Sequence, residues 1–184
     1  MGHEVVQCFS EVASGKAASN RPEFQGAIAL LRSGEADAKL CHCWVVRVGD
    51  SLAGYITLLA DKLQVEEPIL LEEGVKYRTF PAVKIGLLAV DRRAKGLGRC
   101  LVEWAIQYVV AEIVTVVGVR FVTVDALYDR DTEPAYDASG FYRKLGFDFT
   151  DPNESLPPET PYRTTYYDLK PIIDLLEAET SEAV

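Results

Sequence analysis

The chain has 184 residues, 48% of them hydrophobic and 26% charged, with a formal net charge of −9. That length sustains one core without disulfides or metals, and no apolar run reaches the roughly 18 to 20 residues of a membrane span. The charge is uneven, with a net of −6 from Asp151 onward and −3 over the first 150 residues, so a strongly basic nucleic-acid footprint is missing although a locally basic groove fits.

The opening residues, MGHEVVQCFSEV, show no basic stretch leading into an apolar one, and the expectation is a cytoplasmic protein without a secretory signal. Phe24, Ile28 and Leu31 fall at helical spacing ahead of Gly34, which predicts an amphipathic helix near 22 to 33. Cys8, Cys41, Cys43 and Cys100 fit no disulfide framework. Cys41-His42-Cys43 suggests a metal, but zinc pairs are set two to four residues apart and need a second pair elsewhere. Alternate positions on one face of a strand account for it, and no metal is expected. Cys43 to Asp61 reads as two β-rich runs joined at Gly49-Asp50-Ser51, with Trp44, Val46 and Val48 alternating, which predicts a hairpin. Lys62 to Pro81 is mixed and reads as a connection. Ala82 to Val90 is apolar and β-branched with little alternation, as in a strand buried on both faces.

Val102, Ala105, Ile106, Val109, Ile113 and Val117 then recur at helical spacing up to Gly118, predicting a long, mostly covered helix. VRFVTVDA is a second β-branched run, so strand, helix and strand make a parallel unit with a right-handed crossover. PAYDASGFYRKLGFDF predicts a short helix ending near Lys144, a turn at Gly146 and a strand, and RTTYYDL predicts a last strand. TDPNESLPPETP reads as a flexible loop, and the acidic tail from Pro171 as a short helix that frays.

Between the buried strand and the long helix lies AVDRRAKGLGRC, with Arg92, Arg93, Lys95 and Arg99 around Gly96 and Gly98. A strand that turns directly into a helix leaves backbone N–H groups unpaired at the positive end of the helix dipole. The two glycines remove the Cβ atoms that would hold a phosphate away, and the cations add charge-assisted contacts. Cations at a helix N-terminus oppose the dipole, which favours a bound anion over a solvated helix start. A Walker loop is excluded by spacing. A dinucleotide-binding turn, with Asp125 as its ribose acid, is disfavoured because Leu101 occupies the third glycine position.

Arg93-Ala94-Lys95-Gly96-Leu97-Gly98 resembles the Arg/Gln-x-x-Gly-x-Gly/Ala signature of the GCN5-related N-acetyltransferase (GNAT) family, and Phe141-Tyr142-Arg143-Lys144-Leu145-Gly146-Phe147 resembles its second motif. The resemblance covers roughly residues 40 to 170. It implies an α/β fold with a mixed, twisted sheet of six or seven strands and helices on both faces, a single domain over 1–170, and a tail over 171–184. It implies acetyl-CoA as cosubstrate, its pyrophosphate wrapped by Arg93, Ala94, Lys95, Gly96, Leu97, Gly98 and Arg99, and its pantetheine arm bonded by backbone groups near Leu88 and Val90. Tyr142 would protonate the departing thiolate. Val90 and Arg93 are closer together than is usual in the family, which implies a differently shaped turn.

The general base stays open between Asp125, at the expected end of its strand, and ordered water; Glu66, Glu67, Glu72 and Glu73 are placed to attract a cationic substrate. The acceptor implied is a primary amine of a small molecule or protein. Two alternatives remain: a toxin-type enzyme acting on aminoacyl-tRNA, to which FPAVKIGLLAVDRR and GVRFVTVDA look similar but which the acidic charge opposes, and a non-enzymatic acyl-CoA-binding domain. The oligomeric state is open, a homodimer included.

Overall fold

The computed structural model describes residues 4–7, 40–48, 51–65, 70–151 and 153–182. The helix expected near 22 to 33, Cys8, Gly49, Asp50, Glu66 and Glu67 lie outside them. In chain order the elements are β1 (Glu4–Gln7), β2 (His42–Val48), β3 (Ser51–Gln64), β4 (Thr79–Val90), α1 (Leu97–Tyr108), a π-helical turn (Val109–Ile113), β5 (Phe121–Asp129), β6 (Tyr136–Asp137), α2 (Ser139–Arg143), β7 (Asp148–Phe149), β8 (Tyr162–Asp168) and α3 (Lys170–Glu182). The sheet order is β1-β2-β3-β4-β5-β8-β7, with β6 paired to β5 off this path. This is the mixed α/β class expected, with the β4-α1-β5 crossover joining neighbouring strands. Contacts group the chain into two compact units, residues 1–60 with 85–105 and residues 61–84 with 106–184.

In the first unit β2 and β3 form the expected antiparallel hairpin, from His42↔Leu58 to Val48↔Ser51, with an irregularity between Val46 and Arg47. Cys41, Cys43 and Val45 alternate onto one face and pack with Tyr55 against Leu52, Leu59 and Ala89. His42, between the two thiols, is exposed. The Cys-His-Cys stretch is thus a strand edge of the core. Trp44, at an alternate position, meets Trp104 of α1 edge-on with ring centres 5.4 Å apart.

The periodicity read along α1 holds for Val102, Ala105, Ile106 and Val109, all buried. It fails at Val117, which is 55% exposed, beside Val116 at 80%. The π-helical turn adds a residue to the helical repeat and rotates the apolar stripe, and residues 114–117 then leave the helix as turns and a bend.

In the second unit Leu63, Val65, Leu70, Phe80, Ala82 and Phe121 form a core joined by Val75 and Tyr166. Phe121 meets Phe80 at 5.4 Å and Tyr166 at 5.6 Å, both edge-on. The segment read as a connection is therefore strand at both ends: β3 continues to Gln64 and β4 begins at Thr79. Arg120 donates to Glu73 and to Asp168, 2.7 Å in each case, tying the single turn Leu71–Glu73 to the end of β8. Glu73, expected to attract substrate, is occupied by this contact. β5 and β8 pair antiparallel from Phe121↔Asp168 to Leu127↔Tyr162. Among the described residues no helix is long and apolar enough to cross a membrane, and no cluster of His, Cys, Asp and Glu is arranged to hold a metal ion.

Candidate active site

The basic, glycine-containing stretch lies in the first unit and is built around Asp91. Its carboxylate is buried, and Oδ1 accepts both the backbone N–H of Arg93 at 2.9 Å and its Nε at 3.0 Å, while Oδ2 accepts Nη2 at 2.7 Å. An aspartate accepting the amide two residues on is a compact way to reverse the chain. Two further turns follow, Ala94 N–H to Asp91 O at 2.8 Å and Leu97 N–H to Ala94 O at 3.2 Å. This accounts for the short Val90–Arg93 spacing, because Asp91 makes the turn that a longer loop would otherwise provide.

After that turn the chain enters α1 with its amides open. Among the described residues, the N–H groups of Lys95, Gly96, Gly98 and Arg99 meet no acceptor, and the first amide satisfied after that of Leu97 is that of Cys100, by Gly96 O at 3.2 Å. Gly96 has φ +85°, a conformation an L side chain adopts only under strain, and a Cβ there would meet nothing within 4 Å. Among the described residues nothing stands within 4 Å of that Cβ position, open amides flank it, and the dipole there favours an anion. These features fit a diphosphate.

The four cations divide. Arg93 is taken up by Asp91, and Arg99 pairs with Glu103 one turn on, at 2.7 Å. Arg92 and Lys95 are exposed and bond to none of the described residues, which leaves them as the cations available to a ligand. Upstream, Thr57 Oγ1 accepts the Leu87 N–H, at 2.7 Å. The final residues of β4, from Gly86 to Val90, are exposed or half-buried, in contrast to the buried strand expected. Leu88 and Val90 lie on this open stretch, next to which Asp91 N–H donates to Ala53 O at 2.7 Å. Gly54 permits that approach: a Cβ would meet Ala89 O, Leu97 Cδ2 and Val90 Cγ1, each at 3.1 Å.

Tyr142 belongs to the second unit, on α2. The helix ends with Phe147 N–H bonded to Tyr142 O at 3.2 Å and Gly146 N–H to Arg143 O at 3.1 Å, with Gly146 at φ +92°. This is the Schellman termination, and its accompanying apolar contact is the Tyr142–Phe147 ring pair at 5.6 Å. The spacing of tyrosine, glycine and phenylalanine in the motif is that of a helix stop. Tyr142 is buried, and that burial, with a smaller effect from Tyr136, pushes its phenol up to about 12. It is a neutral O–H at physiological pH.

Asp125 sits inside β5, short of the strand end where it was expected. Lys84 Nζ donates to its Oδ2 at 2.5 Å and Thr164 Oγ1 to its Oδ1 at 2.9 Å, so both oxygens are committed to neighbouring strands. This disfavours Asp125 as general base. One residue of this stretch escaped the sequence reading, Asp91, whose signal is the Asp-x-Arg spacing of an Asx turn.

No protein-family model and no curated protein matches the sequence. Solved structures do. A tyrosine-to-phenylalanine mutant of KacT matches with a TM-score of 0.69 at 20% identity, over 95% of this chain and 99% of that one. AtaT complexed with acetyl-methionyl-tRNAfMet gives 0.69 at 19% identity, over 95% and 99%. AtaTR bound with AcCoA gives 0.63 at 21% identity, over 95% and 97%. Identities this low establish the fold, and it is the GNAT fold that the two motifs implied.

Proposed function

We propose that the chain is an acetyl-CoA-dependent N-acetyltransferase acting on a primary amine. The observation that carries this reading is the set of amides at Lys95, Gly96, Gly98 and Arg99 that meet no acceptor among the described residues, around the positive-φ Gly96 in the position of the GNAT signature. These amides, with Arg92 and Lys95, would hold the pyrophosphate, and the open residues Leu88 and Val90 of β4 would hold the pantetheine arm through their backbone. Bound acetyl-CoA supplies an acyl thioester, whose carbon bonds to the amine nitrogen as its bond to sulfur breaks.

Tyr142 serves the sulfur. Its hydroxyl, kept neutral by burial, donates to the charge that develops on the leaving group, a contribution typically worth about 10² to 10⁴ in rate. A phenol at about 12 is a weaker acid than a thiol in water, but the water-poor setting that raises the phenol raises a thiolate as well. The amine gives up its proton to ordered water, since Asp125 is engaged by Lys84 and Thr164.

A second reading identifies the acceptor as the amino group of an aminoacyl-tRNA. The likeness to AtaT complexed with acetyl-methionyl-tRNAfMet favours it, as do the exposed Arg92 and Lys95; the net charge of −9 opposes it. Purified protein incubated with acetyl-CoA and, separately, spermidine, free amino acids, a peptide with a free N-terminus and methionyl-tRNA decides between them, with release of free CoA as the signal. Turnover with the small amines or peptide supports the first reading, turnover with tRNA alone the second, and none with any acceptor by a chain that binds CoA would reject both.

A further inference from the structure

Among the described residues Arg163 is the only buried cation. Its Nε donates to Glu154 Oε2 at 3.0 Å and its Nη1 to Asp137 Oδ2 at 3.1 Å and Ser139 Oγ at 3.2 Å, and its guanidinium lies 4.0 Å from the centre of the Phe149 ring. Asp137 Oδ1 in turn accepts the Ser139 N–H at 2.8 Å. Four segments therefore converge on one side chain of β8: β6, the first turn of α2, β7, and the loop that precedes β8.

The helix held in this way is the one that carries Tyr142. With five residues, α2 is far too short to be stable by itself, so its direction is set by what grips its ends. The Schellman turn grips the C-terminal end. At the N-terminal end the grip is Arg163, acting on Ser139 directly and through Asp137. Desolvating a guanidinium and its carboxylates costs about as much as their attraction returns, and apolar residues of similar volume often do as well or better for stability. What the planar, multiply bonded fork supplies that they do not is a fixed geometry.

We propose that Arg163 is a positioning residue for Tyr142, fixing the first turn of α2 and with it the direction of the phenol. The proposal rests on the reading of Tyr142 as the donor to the leaving sulfur. Four variants test it: Arg163→Lys, which keeps the charge but loses the fork, Ser139→Ala, which loses only the hydroxyl, and each of these combined with Tyr142→Phe. With acetyl-CoA and the amine accepted in the screen, both single variants should lower kcat by about tenfold with KM for acetyl-CoA unchanged, and neither should lower it further in the Tyr142→Phe background. Hydrogen exchange should accelerate at residues 140–147 and stay as it is in β5.

Wild-type exchange through 140–147 in both variants, or full additivity with Tyr142→Phe, would overturn the proposal. Failure of the underlying reading looks different. If Tyr142→Phe itself turned over like wild type, Tyr142 would leave the mechanism and Arg163 with it. If Tyr142→Phe were crippled while Arg163→Lys and Ser139→Ala were normal, Tyr142 would stand and Arg163 alone would fall.

Discussion

Asp91 and Arg93 lock each other in place: one buried carboxylate receives the amide, Nε and Nη2 of the arginine two residues on. The signature arginine is thus built into the turn, and on the proposed reading the backbone amides, Arg92 and Lys95 would hold the diphosphate. Asp91→Ala should weaken CoA binding by about tenfold or more, since hydrogen bonds to charged groups are worth about 1.5 to 3 kcal/mol and the turn depends on three of them. Lys95→Ala should leave thermal stability unchanged and flatten the salt dependence of CoA affinity. Calorimetry at two ionic strengths separates the two effects; equal, salt-sensitive losses in both variants would return Arg93 to direct ligand contact.

Gly96 offers a sharper test, because its constraint is conformational within the protein and steric only toward a ligand. Gly96→Ala should cost about 1 kcal/mol of stability from the positive φ. Gly96→Asp should also abolish CoA binding, by placing a negative side chain where the diphosphate belongs. A folded Gly96→Asp protein with wild-type affinity for CoA would remove the loop from the site.

Tyr142→Phe keeps the ring and its contact with Phe147. Affinity for acetyl-CoA should stay within about twofold while kcat falls by roughly 10 to 10⁴. A tyrosine with only a packing role would show the opposite, a lower melting temperature with turnover intact.

Two groups predict how stability responds to pH. Tyr142 is raised to about 12, so folded and unfolded chains hold its proton alike below about 10, and the unfolded chain loses it first above that. Stability should fall between about pH 10 and 12, and Tyr142→Phe should remove part of that loss. Asp137 moves the other way. Burial would push its carboxyl up, but hydrogen bonds from the hydroxyl and amide of Ser139 and from Arg163 hold it below the ordinary carboxylate range. Its contribution is present above the unfolded value of about 3.9 and disappears as pH falls through the folded one. Denaturant midpoints against pH should therefore show a shallower acid limb for Asp137→Asn than for wild type.

Gly146→Ala combines a left-handed φ of +92° with a Cβ 3.0 Å from Tyr167 Cε2. The expected cost is about 1 to 3 kcal/mol, visible as a melting temperature several degrees lower. An unchanged melting temperature would mean that α2 ends in some other way.

The parts legible in the sequence were those whose signal is local. The glycine spacing, the helix stop at Gly146 and the alternation of Cys41 and Cys43 each lie within a few residues, and each appears in the fold as expected. β3 was read too short because Asp61 and Lys62 interrupt its apolar run, although Leu63 and Val65 continue the alternation and are buried. Arg163 could not be read at all: an arginine is buried only if partners satisfy it, and these stand 9 and 26 residues away, at Glu154 and Asp137. The engagement of Asp125 could not be read either, because its partner Lys84 comes from a strand 41 residues earlier.

The closed ring from Tyr142 O to Phe147 N–H also bears on how this chain can change in length. An extra residue anywhere between those two would break the helix stop and turn the phenol away, so this stretch admits substitution but neither insertion nor deletion. The stretch behind Glu154 is different. Ser155, Leu156 and Pro157 are all exposed, and an insertion there leaves the Glu154–Arg163 bond in place. Descendants of this sequence would accumulate their length differences at those three residues and keep the six from Tyr142 to Phe147 fixed in number.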